Sequence, residues 1–97
     1  MAIKTLQQTI DERISFLKEQ INPSKPEVNK TLQIQIDAIR SAADDLEEVE
    51  DIIAQKKEQL KNSKDIQEID RLLAELEALE WLQAQIAVLY ALEELEE

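Results

Sequence analysis

Cysteine, histidine and glycine are all missing from this 97-residue sequence, and each absence closes off a class of function. Without cysteine there is no disulfide framework, no thiolate metal site and no thiol nucleophile. Without histidine the commonest general base and the commonest zinc ligand are gone. Without glycine, neither a phosphate-cradling loop nor a dinucleotide fingerprint can form, because both need backbone geometry that glycine alone allows. The serine and threonine hydroxyls have no base to activate them other than carboxylates and lysines, so no enzymatic activity, cofactor or metal is expected. Uncharged apolar stretches never approach the ~20 residues that cross a bilayer, so no membrane span is expected. The opening residues Met1 to Gln8 lack the unbroken apolar run of a signal peptide, which makes a cytoplasmic location the expectation.

Basic residues are also scarce. Eleven lysines and arginines face 22 acidic residues, for a net charge of −11. Such a chain is repelled by phosphate backbones and by anionic lipid, which argues against nucleic-acid and membrane partners. A basic or amphipathic protein partner is not repelled.

What the sequence has in abundance is helix-period apolar patterning, on a single domain of modest size. Two breaks punctuate it. The first is Asn22-Pro23-Ser24-Lys25-Pro26-Glu27, where Ser24 and Glu27 have the spacing of a capping box and Pro26 falls in a first helical turn. The second is Lys61-Asn62-Ser63-Lys64-Asp65, where Asn62 can end a helix in the left-handed conformation and Asp65 with Glu68 gives another capping box. The spacing predicts helices over 3–21, 25–61 and 65–95.

In the first helix Ile3, Ile10, Ile14, Leu17 and Ile21 recur by threes and fours, with Gln7 filling the one gap. In the second, Val28, Leu32, Gln35, Ile39, Ala42, Leu46, Val49, Ile53, Lys56 and Leu60 make a sustained heptad seam. Gln35 and Lys56 are its polar members, suited either to fixing register or to lying where the seam is open. The third helix carries Ile66, Ile69, Leu72, Leu73, Leu76, Leu79, Leu82, Ile86, Leu89, Leu92 and Leu95. At 1.5 Å per residue the three helices span roughly 28, 55 and 47 Å.

Short connections imply antiparallel neighbours, so the fold class expected is all-α: a three-helix antiparallel bundle with a short first helix and a long helical hairpin. Folding at 62–64 sets the 30s opposite the 90s and the low 50s opposite the mid 70s. Folding at 22–25 lays the first helix along 26–44, with Asp44 and Asp45 near Lys4. The terminal glutamates then fall near Lys25 and Lys30. From Leu79 to Leu92 the third helix is apolar nearly all round, which predicts cover on several sides.

Some apolar residues exceed what this bundle buries. Phe16, Ile34 and Ile36 lie off the seam at one end, and Ile52, Ile66 and Leu73 at the other. Trp81 and Tyr90, nine residues apart, face opposite sides of their helix and cannot form one stacking platform, although either ring suits an interface. A second copy packing alongside would cover the surplus, and paired copies are the commonest oligomers. The expected function is therefore a non-enzymatic helical interaction or assembly module. Its partner would be itself, as a homodimer, or another helical protein.

Two other readings start from the acidic run that holds Asp44, Asp45, Glu47, Glu48, Glu50 and Asp51. It is either a solvated helix face or a cation site, although calcium loops need a turn that usually contains glycine. A bundle core could also hold a small apolar ligand. The same acidic face could imitate nucleic acid and occupy a basic groove on another protein.

Tyr90-Ala91-Leu92-Glu93-Glu94 resembles the C-terminal tyrosine-x-x-x-acid signal of the small secreted WXG-type helical hairpins. Their defining tryptophan-x-glycine turn is absent here, so that family is not assigned. The run from Leu72 to Glu80 has the simplified composition of designed helices, which natural coiled coils share.

Overall fold

The structure, a computed structural model, describes residues 5–96 apart from the side chains of Glu93 and Glu96. Ile3 and Lys4, to which the sequence assigned a helix start and a charge partner, lie outside the described residues, as does Glu97. Four helices form: α1 (Leu6–Glu19), α2 (Pro26–Ala43), α3 (Val49–Asn62) and α4 (Ile66–Glu96). No strand occurs among the described residues.

The expected long second helix is therefore two helices. It breaks at Asp44-Asp45, where Asp45 is non-helical (φ −146°, ψ 82°), and continues through a short 3-10 turn, Leu46–Glu48, into α3. Charge explains the break. Aspartates at the C-terminal end of a helix oppose its dipole, whereas Glu47, Glu48, Glu50 and Asp51 at the start of a new helix are favoured by it.

The break reverses the chain. Gln35 of α2 donates to Glu77 of α4 across 42 positions of sequence. A groove is lined on one wall by Glu27, Lys30, Thr31 and Ile34 and on the other by residues from Asp65 to Glu77. The first half of α2 thus lies beside the first half of α4, and the two run in the same direction. Two reversals, at 44–48 and at 63–65, restore the original heading. The expected pairing of the 30s with the 90s does not occur, and Lys30 stands near Asp65 and Glu68 rather than near the terminal glutamates. The other half of the expected hairpin does occur: α3 packs back along α4, with Lys56 bonded to Glu75 and Lys57 to Glu80.

Glu75 reaches α3 and Glu77 reaches α2. Two positions turn a helix by about 200°, so α2 and α3 lie on opposite sides of α4. Burial agrees. Leu72, Leu76 and Leu79 are buried on one side of α4, and Ala74 and Ala78 on the other. The core joins Leu76, Ala78, Leu79 and Leu82 to Ile10 and Leu17 of α1, to Leu32, Ile36, Ile39 and Ala42 of α2, and to Val49 and Ile53 of α3. The 3-4 spacing in α1 and α3 is the amphipathic stripe that the sequence displays.

Ends are secured locally. At the start of α1, Thr5 and Gln8 form a capping box: the Thr5 hydroxyl accepts from the Gln8 amide at 3.1 Å, and the Thr5 amide donates to the Gln8 side chain at 3.0 Å. The expected Ser24–Glu27 box does not form, because Ser24 donates through its amide and hydroxyl to Asn22. Asn29 instead clamps the connection, accepting from the Asn22 amide and donating to the Asn22 carbonyl. Pro26 opens α2, where its missing N–H is harmless. Asp65 accepts from the Gln67 amide at the start of α4. Asn62 stays helical, since no described residue has positive φ, and α3 ends with Ser63 extended.

Candidate functional site

α4 is the axis of the molecule. Its 31 residues span roughly 46 Å at 1.5 Å per residue, close to the longest dimension of 48 Å. α2 and α3 reach roughly 27 and 21 Å by the same measure, and both meet at the reversal at 44–48. Past that level α4 has little beside it. Beyond Leu82 no described side chain of α4 is fully buried, although Ile86 still packs against the core.

The segment that the sequence predicts to be the most covered, Leu79–Leu92, is therefore covered only in its first part. Val88, Tyr90 and Leu92 are exposed, as is Leu95 beyond them. The prediction failed for a directional reason. An antiparallel α2 would have laid its first half over this segment, whereas the parallel α2 lays it over the start of α4.

Four of the six exposed large apolar residues of α4 share one arc, and Tyr90 and Leu92 lie off it. Ile66 is 75% exposed, Leu73 50%, Val88 52% and Leu95 81%. At 100° per residue all four fall within an arc of about 60°, together with the exposed Ala84 and Ala91. Up to about Ala84 this arc is the side of α4 left open between α2 and α3, and beyond it α4 is largely uncovered. Its middle is polar: Glu77 is held by Gln35 at 3.3 Å, and Glu80 by Lys57 at 3.2 Å. One edge is the groove against α2, where Ile34, half-buried, faces Leu73 and Ala74.

Of the eight residues that the sequence nominates for an interface, Ile66 and Leu73 lie on this open face and Ile34 on its rim. Ile36 is a correction: it is fully buried in the core. α2 is packed by both α1 and α4, so its buried arc is wide enough to take in Ile36 beside Gln35. Ile52 is half-buried against the core. Trp81 and Tyr90 do face different surroundings. Trp81 packs on the core beneath Arg13, whose guanidinium lies 5.2 Å from its ring and 5.3 Å from the exposed Phe16 ring, while Tyr90 stands in solvent. Val88, Ala84, Ala91 and Leu95 were not singled out by the sequence. Their i, i+4, i+7, i+11 spacing was a legible signal, masked by the apolar residues around it.

The polar seam residues have partners. Gln35 is buried and bonded to Glu77, and Lys56 is bonded to Glu75, which Arg71 also approaches at 3.3 Å. Asp44, Asp45, Glu47, Glu48, Glu50 and Asp51 are all exposed, spread over the reversal and the first turn of α3. No group of three or more acidic side chains is gathered as a metal site among the described residues. No described helix is long and apolar enough to cross a membrane. Comparisons with known protein families, with curated proteins and with solved structures find no match for this chain.

Proposed function

We propose that this protein is a non-enzymatic helical interaction module whose working surface is the open face of α4. The observation that carries the reading is the alignment of Ile66, Leu73, Val88 and Leu95 on one arc of α4, which α2 and α3 flank over its first half and leave open beyond about Ala84. Scattered exposed apolar residues are ordinary, but two apolar patches aligned on one arc, either side of a polar middle, mark an interaction surface. The stripe has the spacing by which a helix receives another helix. The absence of histidine and cysteine supports a role without chemistry. The hydroxyls of Thr9 and Thr31 add to that support, since each donates to the backbone carbonyl four residues before it. The partner is a helix, from a second copy or from another helical protein.

Light scattering over a dilution series, with an apolar fluorescent dye as a second readout, tests this. Self-association, or a monomer that binds dye and loses the dye when Val88 and Leu95 become serine, is the expected result. A strict monomer that binds no dye would sink the reading.

A further inference from the structure

We infer that the helix received by this face is α4 of a second copy, laid antiparallel about a two-fold axis beside Glu80. The inference rests on the interaction-module reading and names its partner and register. Three observations carry it.

The stripe is its own complement. Turned end for end about a point between Glu80 and Trp81, Ile66 falls opposite Leu95 of the second copy, Leu73 opposite Val88, and Glu77 opposite Ala84. Each pairing occurs twice, as an isologous interface requires. The four most exposed members of the stripe are all consumed, large against large, while the small Ala84 leaves room for Glu77 near the axis.

The carboxylates near the axis already have partners. Gln35 holds Glu77 and Lys57 holds Glu80 within each chain. The two Glu80 side chains therefore approach the axis as ion pairs rather than as bare like charges.

Charge selects the direction. The last turn of α4 carries no basic residue, and its sequence there is Glu93-Glu94-Leu95-Glu96. A parallel pair would set these acidic ends against each other. The antiparallel pair separates them and sets each beside the N-terminal end of the other α4, where the helix dipole is positive and Lys61 at the end of α3 and Lys64 in the connection offset Asp65 and Glu68. In this arrangement the two α4 helices form the centre, and the α2 and α3 helices of both copies flank them.

The chain has no cysteine, so single cysteines report contacts without interference. Three variants are made in the full chain: I66C, L95C and E80C. All three positions are exposed, and circular dichroism confirms that each variant folds. Under mild oxidation E80C alone should cross-link to itself. I66C and L95C alone should cross-link poorly, and a mixture of the two should give the 66–95 dimer. Serine at both Val88 and Leu95 should weaken the dimer by at least about a hundredfold, two buried apolar side chains each being worth roughly tenfold or more.

Same-residue cross-links at 66 and at 95, with none between them, would overturn the antiparallel register. A monomer at every concentration that still binds apolar dye would overturn the second copy as partner while leaving the interaction-module reading intact. A monomer that binds no dye would overturn both.

Discussion

The Gln35 amide donates to the Glu77 carboxylate at 3.3 Å, and with the groove that sets residues 27–34 beside 65–77 it makes α2 parallel to α4. Gln35 sits on the heptad seam of α2 with only 8% of its surface exposed, whereas Glu77 keeps its carboxylate in solvent. The bond therefore meets the need of a buried amide at the rim of the core without burying a charge.

Gln35→Leu leaves Glu77 solvated and removes the buried polar group, so its stability should stay within about 1 kcal/mol of the parent in urea unfolding. Gln35→Glu sets a buried carboxylate against another and should cost about 1–3 kcal/mol. Equal losses for both would mean that the bond itself, and not the avoided burial of charge, is what matters.

The direction of α2 is directly measurable. Spin labels at Thr31 and Asp70, both lining the α2–α4 groove, should be close neighbours. A single antiparallel hairpin would hold them roughly 38 Å apart, some 25 helical residues along the axis. Distances from electron–electron double resonance separate the two arrangements.

Ile39 is fully buried between helices, so Ile39→Ala should cost about 2–5 kcal/mol, a large part of the stability of a domain this size. Thermal unfolding should show the loss as a lowered midpoint. By contrast, a substitution of the exposed Phe16 by alanine should change stability by less than about 1 kcal/mol through its contact with Arg13.

Trp81 is the sole tryptophan, and Arg13 covers its ring at 5.2 Å. Arg13→Gln should shift Trp81 emission to the red and lower stability by about 0.5–1 kcal/mol. An unchanged emission spectrum would show that α1 is not held on α4 by this contact.

Lys56 and Glu75 are both partly buried and bonded across α3 and α4. A double-mutant cycle with Lys56→Met and Glu75→Gln should return a coupling of about 0.5–3 kcal/mol. Lys56→Met alone should be the milder change, because Arg71 still approaches Glu75.

Much of this was legible in the chain. The absence of glycine, the 3-4 apolar spacing and the two polar breaks are local properties, and they determined an all-helical protein, the inward stripes of α1 and α3, and connections near 22–25 and 63–65. Local chemistry also placed Trp81 and Tyr90 on different sides of α4. The Thr5–Gln8 box is local too, since its residues have capping-box spacing in the sequence.

Tertiary structure alone decided the rest. A heptad stripe is the same stripe whether its neighbour runs up or down, so periodicity could not choose the direction of α2. The acidic run at 44–51 is as compatible with one solvated helix as with an end and a new beginning. What settles it is the turn at the non-helical Asp45, with residues 27–34 set beside 65–77 while α3 returns along the same helix. That turn also determines where cover on α4 stops. Which apolar residues remain open is a property of packing, because exposure depends on what lies beside a helix and not on the helix itself.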